Sequence, residues 1–192
     1  MHRLPHPSPH RRQLLLATVC MPLLPRQALA ADEAAGLLAR GNVYALFRHA
    51  QAPGTFDPPG FRLEDCSTLR NLDDEGRAQA RRLGEWFSSR GLAPAAVRSS
   101  PWCRCLDTAR GAFGRATAWP ALGSPSGLAD TERRTRTTEL RRALAQPQPG
   151  RFEVWVTHQF VIADLVGEAT GSGAGVLLEA GSGRLLARLS AA

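Results

Sequence analysis

Asn42-Val-Tyr-Ala-Leu-Phe47-Arg48-His49 is a continuous apolar run that ends on a cation and an imidazole. It lacks the alternation of a half-exposed strand, so it reads as a strand buried on both faces, as in a parallel sheet covered by helices. A second run of this kind, Phe152-Glu-Val-Trp-Val-Thr157, also ends on a histidine, His158. Between and after these strands the pattern changes to helical. Asp73 can cap a helix from Asp74 to Arg90, with Ala80, Leu83 and Phe87 on one face and Gly91 closing it.

Ala95 to Arg98 is a short strand, and Ser100-Pro101 supplies a cap and a first-turn proline for the next helix. Thr131 to Leu144 is a polar helix anchored by Leu140 and Leu144, and Phe160 to Val166 an apolar one. Ala31 to Gly41 forms a short opening helix. Gln51–Asn71 and Ala116–Gly127 are rich in Pro, Gly and Ser and read as irregular. Gly175–Glu179 and Arg184–Leu189, split by Gly181-Ser-Gly183, form a closing hairpin. The class is therefore α/β: a three-layer sandwich with a mostly parallel central sheet, helices on both faces and an antiparallel C-terminal hairpin at the edge.

The 192 residues suffice for one domain and a leader. Residues 1–30 have a basic start, an apolar stretch from Leu14 to Leu24 and a small-x-small site at Ala28-Leu-Ala30. They read as an export signal removed before Ala31, leaving residues 31–192 as a single domain in the periplasm or outside the cell. His10-Arg-Arg-Gln-Leu-Leu-Leu16 fits the twin-arginine export route, with ordinary secretory export as the alternative. The apolar stretch is short and interrupted by prolines, so no stable membrane anchor is expected.

All 24 basic residues are arginines, four of them in the leader, against 17 acids in the remainder, so the mature domain carries only +3. With no block of five like charges and no RNA-binding signature, nucleic acid is not an expected partner. Cys66, Cys103 and Cys105 remain after processing. In an oxidising compartment Cys66 could pair with either of the other two, or all three could be buried thiols.

Only His49 and His158 of the five histidines survive removal of the leader, each at a strand end. In an open α/β sheet, ligands bind beyond the carboxyl ends of the strands. Arg48-His49, Ser99-Ser100 leading to Arg104, and His158 all reach that edge. A neutral imidazole is a nucleophile when one ring nitrogen donates to a carbonyl and frees the other's lone pair. Guanidinium groups match phosphate oxygens, and Arg104 falls in a helix's first turn, which also favours an anion. The combination points to phosphoryl transfer. A zinc site from His49, His158, Cys103 and Cys105 lacks any standard spacing, and neither metal nor cofactor is expected.

Four motifs recur in order: Phe-Arg48-His49-Ala, Asn71-Leu-Asp-Asp-Glu-Gly76-Arg-Ala-Gln79-Ala, Ser99-Ser-Pro-Trp-Cys-Arg104-Cys-Leu-Asp-Thr108-Ala109, and Val156-Thr-His158-Gln. Together they resemble the histidine phosphatase superfamily, which includes the cofactor-dependent phosphoglycerate mutases, over about residues 42–167. The resemblance implies a phosphorylated His49 and a phosphate held by Arg48, Arg104 and His158. It also implies an acid that protonates the leaving oxygen, with Asp130 the first candidate, Glu132 the second and Glu139 more distant. The alternative for Asp130 and Glu132 is that they merely cap or solvate their helix. Two departures are small: Ala50 stands where the family usually has glycine, and Leu72-Asp73 where it often has Leu-Thr.

The resulting expectation is a metal-independent phosphomonoesterase of the cell envelope acting through a phosphohistidine on a phosphorylated small molecule or an envelope-associated substrate. Mutase activity fits an exported protein less well. The rival from another class is a catalytically silent phosphate-binding module that has lost its acid.

Overall fold

Val43, Ala45 and Phe47 on one strand belong to one hydrophobic core, while Tyr44 and Leu46 between them belong to another. The strand is buried on both faces, and its period of two feeds two helical layers at once. A computed structural model of the chain describes residues 26–191, with side chains from Ala31 onward. The export signal expected in residues 1–30 lies largely outside the described residues.

The helices are α1 (Arg26–Arg40), α2 (Asp74–Ser88), α3 (Cys103–Phe113), α4 (Asp130–Leu144) and α5 (Gln159–Val166). The strands are β1 (Val43–Arg48), β2 (Ala96–Ser99), β3 (Thr117–Ala118), β4 (Phe152–Thr157), β5 (Gly175–Glu179) and β6 (Leu185–Leu189). They form one sheet in the order β3-β2-β4-β1-β5-β6. β3, β2, β4 and β1 run parallel, β5 is antiparallel to β1, and β5 and β6 make the closing hairpin. Core residues of α1, α2 and α3 pack on one face, through Leu38, Leu83, Phe87 and Ala109. Those of α4 and α5 pack on the other, through Leu140, Leu144, Val161 and Ile162. The expected three-layer α/β architecture with its antiparallel edge hairpin is the observed one.

Local chemistry explains where the elements begin. The Asp73 carboxylate accepts the Gly76 N–H at 2.7 Å, and Asp74 and Glu75 in the first turn of α2 favour its positive end. Gly76, Ala80, Leu83 and Phe87 form the buried face of α2. Gly76 is needed for close approach: a Cβ there would lie 1.9 Å from the Gln51 carbonyl oxygen.

Most boundaries fall within one or two residues of the sequence expectation, and three departures have a local cause. α1 starts at Arg26 rather than Ala31, since the good helix formers of Ala28-Leu-Ala30 continue into it. α3 starts at Cys103, with Trp102 as a cap that makes no side-chain bond. Ser100 Oγ accepts the Trp102 N–H at 3.3 Å and lies 2.8 Å from His158 Nε2, so it bonds just ahead of the helix rather than to its first turn. Thr117–Ala118, within a stretch read as irregular, adds a two-residue edge strand to β2.

Candidate active site

Strand register brings the two histidines together. In the parallel β1–β4 pair Arg48 lies opposite Thr157, and the His49 N–H donates to the Thr157 carbonyl at 2.9 Å. His49 and His158 are therefore neighbours across two adjacent strand ends, with ring centroids 5.5 Å apart. β2 ends beside them, where the Ser100 N–H donates to the Val156 carbonyl. Beyond these ends opens a cavity of about 380 Å³ lined by His49, His158, Arg48 and Arg104, together with Arg70 and Asp57. A hollow of about 550 Å³ between α1, α2 and the C-terminal strands is larger, but its lining is mainly apolar and holds no histidine.

His49 is buried, and its Nδ1 lies 2.7 Å from the Ala50 carbonyl oxygen. A carbonyl only accepts, so Nδ1 carries the proton and Nε2 keeps its lone pair. Burial lowers the His49 pKa to about 3, opposed by the bond to Ala50 and helped by the charges of Arg104, Arg48 and Arg70. His158 is also buried, with Nε2 at 2.8 Å from Ser100 Oγ. Burial, then Arg104 and the neighbouring His49, Arg48 and Arg70, hold it well below the usual histidine range. Both imidazoles are neutral in the free protein.

The cations are held by their outer nitrogens. Arg48 Nη1 donates to the Thr170 carbonyl at 3.1 Å. Arg70 Nη1 donates to the carbonyls of Ala52 and Gly54. Arg104 grips Asp57 in a two-pronged ion pair, Nη1–Oδ1 at 2.7 Å and Nη2–Oδ2 at 3.2 Å. Yet the Nε of each of these three arginines is buried without a hydrogen-bond partner. Buried donors left unpaired are costly, so three around one cavity call for an acceptor. Burial and mutual repulsion also lower the pKa values of Arg48 and Arg70, a strain that a bound anion relieves.

Asp57 takes bonds from Arg104, from Trp102 Nε1 at 3.0 Å and from the Arg70 N–H at 3.0 Å. Burial pushes its carboxyl up, but those bonds and the Arg104 charge outweigh it and hold the group below the usual carboxylate range. Three guanidinium groups and this one carboxylate leave the cavity lining at a net +2, suited to a phosphate dianion.

Support comes from behind. Thr108 Oγ1 donates to the Arg104 carbonyl at 2.7 Å and accepts the Ala50 N–H at 3.0 Å, linking α3 to the loop after His49. Gln79 bonds the Gln51 N–H and the Ser172 carbonyl, bracketing that loop from the other side. A Cys66–Cys103 disulfide ties the loop that carries Asp57 and Arg70 to the start of α3. Of the two pairings open in the sequence, this one forms. Cys105 stays free and buried, its thiol pushed up to about 12 by burial. With Cys103 in a disulfide, the zinc set considered from the sequence loses a ligand, and among the described residues no cluster suited to a metal occurs.

A family model described as histidine phosphatase superfamily, branch 1, matches residues 45–123, a span containing Arg48, His49, Arg70 and Arg104. Over that span the chain is similar to the histidine phosphatase superfamily. No curated protein matches the chain. Among solved structures it is similar to a phosphoserine phosphatase from Entamoeba histolytica in complex with 3-phosphoglyceric acid. That match has 14% identity and a TM-score of 0.55, covering 77% of this chain and 96% of that one. It is also similar to the mycobacterial glucosyl-3-phosphoglycerate phosphatase Rv2419c in complex with VO3 (17% identity, TM-score 0.52, 79% and 100% covered). A third is the protein histidine phosphatase SixA complexed with tungstate (19%, 0.51, 77% and 96%). At such identities these likenesses establish the fold.

The structure gathers Arg48, His49, Arg104 and His158 around the cavity, and leaves Asp130 and Glu132 outside it. Asp130 opens α4 in a separate surface hollow with Arg133, Arg134 and Asp164. Glu132 pairs with Arg136 at 2.6 Å on the exposed side of the same helix. Leu140 and Leu144 fix α4 against the sheet, and the Arg133–Asp164 ion pair ties its first turns to α5. Glu139 is engaged by Trp119 Nε1. The sequence reading missed Asp57 and Arg70. Arg70 directly precedes the Asn71 motif and was within reach, whereas Asp57 sits in a Pro/Gly-rich loop with no pattern to mark it.

Proposed function

We propose that this protein is a member of the histidine phosphatase superfamily and a metal-independent phosphomonoester hydrolase that works through a phosphohistidine at His49. The observation that carries the reading is the set of three buried, unpartnered arginine Nε donors around one cavity, beside an imidazole whose Nδ1 is already engaged. His49 Nε2 attacks phosphorus, the N–P bond forms, and the P–O bond breaks with its electron pair on the leaving oxygen. Arg48, Arg70 and Arg104 stabilise the equatorial oxygens, where charge accumulates. His158 lines the same cavity and, as a neutral imidazole, offers a ring N–H to the bound phosphate. Water then attacks phosphorus, the N–P electron pair returns to Nε2, and one water proton stays on the phosphate while the other passes to solvent.

The cell envelope is the proposed location, and phosphorylated small molecules or envelope-borne groups the proposed substrates. The leader-like residues 1–30 and the disulfide both favour an oxidising compartment. Turnover of p-nitrophenyl phosphate by the wild type in the presence of a chelator, its loss in His49→Ala, and recovery of the protein from the envelope fraction are the expected results. An active His49→Ala protein would remove the nucleophile.

One observation favours the second reading, a silent phosphate-binding module: the sole carboxylate lining the cavity, Asp57, is ionised and already engaged. Phosphate binding with no turnover of any phosphate ester or acyl phosphate would select that module.

A further inference from the structure

Phe56, Phe61 and Phe160 are the large apolar side chains that stand exposed among the described residues, at 71%, 38% and 44%, and all three line the cavity that holds His49. They arrive from separate parts of the chain, the first two from the loop after β1 and the third from the first turn of α5. Trp102 continues the wall, its ring centroid 6.1 Å from that of Phe61 and 5.2 Å from that of His158. Scattered exposed apolar side chains need no explanation, but several gathered on the rim of one polar cavity mark a surface that receives an apolar group. Aromatic walls favour an aromatic guest, which can stack or meet them edge to face.

A second observation is chemical. The cavity offers three permanent cations and no side chain that holds a releasable proton near neutral pH. Both imidazoles are neutral, and the one carboxylate is locked by Arg104, Trp102 and the Arg70 N–H. A leaving oxygen must therefore depart as an anion. That is feasible for a phenol, with a pKa of about 10, and poor for an aliphatic alcohol, closer to the value of about 16 for water.

We infer that the substrate is an aryl phosphate monoester, its ring held among Phe56, Phe61, Phe160 and Trp102. This rests on the phosphohydrolase reading above. The dianionic phosphate binds the three arginines, His49 Nε2 bonds to phosphorus, and the P–O bond breaks with its electron pair on the phenolic oxygen. The phenolate takes its proton from water outside the cavity, and hydrolysis of the N–P bond returns inorganic phosphate.

The test measures kcat/KM of the full chain on acetyl phosphate, n-hexyl phosphate, phenyl phosphate and a tyrosine-phosphorylated peptide. Acetyl phosphate has a good leaving group and no ring, so it reports the phosphohydrolase reading alone. Phenyl phosphate should exceed n-hexyl phosphate by roughly a hundredfold, the scale of an acid's contribution. Phe56→Ser and Phe160→Ser, both at exposed positions, should each lower the phenyl-to-acetyl ratio roughly fivefold, as lost apolar contacts do. Turnover of acetyl phosphate with no preference for phenyl over hexyl overturns the aryl assignment and leaves the phosphohydrolase standing. A phenyl preference that survives both substitutions overturns the ring site. Inactivity on acetyl phosphate and on all esters overturns the phosphohydrolase and the aryl assignment with it. Under the proposal, a peptide preferred over phenyl phosphate identifies a protein side chain as the source of the ring, and the reverse a free small molecule.

Discussion

Asp57 meets Arg104 through both carboxylate oxygens, at 2.7 and 3.2 Å, in a pair that is almost fully buried. A loop acid thus occupies donors of the arginine best placed to receive phosphate, and phosphate must compete with it or bind beside it. Asp57→Asn should act in two directions. Leaving the Arg104 charge without its partner should cost about 3 kcal/mol of folding stability, read by denaturant titration. The same change should tighten inhibition by inorganic phosphate roughly tenfold, because a competing anion is gone. An unchanged phosphate inhibition constant would mean that the carboxylate does not contest the site.

The neutral His49 makes stability depend on pH in a defined window. Its folded pKa, near 3, lies below the unfolded value of about 6.5. Between those values the unfolded chain binds the extra proton, so this contribution is fully present above about pH 6.5 and is lost as pH falls towards 3. His158, shifted the same way, adds to the slope. The measurement is unfolding free energy against pH for wild type and His49→Asn. The variant should lose about one proton's worth of slope below pH 6.5. Identical slopes would show that His49 titrates normally when folded.

The disulfide should stabilise the domain and shape the site together. Cys66 and Cys103 are 37 residues apart, and closing a loop of that length is worth roughly 4 kcal/mol against the unfolded chain. A Cys66→Ser, Cys103→Ser double variant should melt earlier. It should also show a higher KM with a smaller change in kcat, because the released loop carries Arg70 and Asp57 but not His49. A fall in kcat with KM unchanged would place the effect on the chemistry instead.

The parts of this molecule legible in its sequence are those with a period or a strand end. The buried runs ending at His49 and His158 announced a parallel sheet, and β-register then required the two imidazoles to meet. The resemblance places the acid on the segment after the Arg104 motif, where Asp130 and Glu132 stand, but a place along the chain says nothing about which way a helix's first turn faces. Asp57 was invisible because loop geometry, here set by Arg70 and the disulfide, leaves no periodic trace. Ser100 shows the same limit on a smaller scale. Its Ser-Pro context is a proper cap signal, but the hydroxyl accepts the Trp102 N–H ahead of the helix and meets His158 Nε2 across the sheet edge.

Gly76 offers the clearest separation of site from scaffold. A Cβ at Gly76 would lie 1.9 Å from the Gln51 carbonyl oxygen, two residues beyond His49; one at Gly84, two turns along the same helix, would lie 2.2 Å from the Ala112 carbonyl oxygen in α3. Both substitutions to alanine gain helix propensity of about 1 kcal/mol and lose more to overpacking, commonly 1–3 kcal/mol. Their effects on stability should therefore be similar. Their effects on turnover should not be. Displacing Gln51 moves the Ala50 carbonyl that orients His49, so Gly76→Ala should lower kcat by about a hundredfold, as misplaced reacting groups do. Gly84→Ala should leave kcat within about twofold, because its clash falls between α2 and α3, away from the cavity. Equal losses of kcat in the two variants would mean that the loop after His49 does not depend on the first turn of α2 for its position.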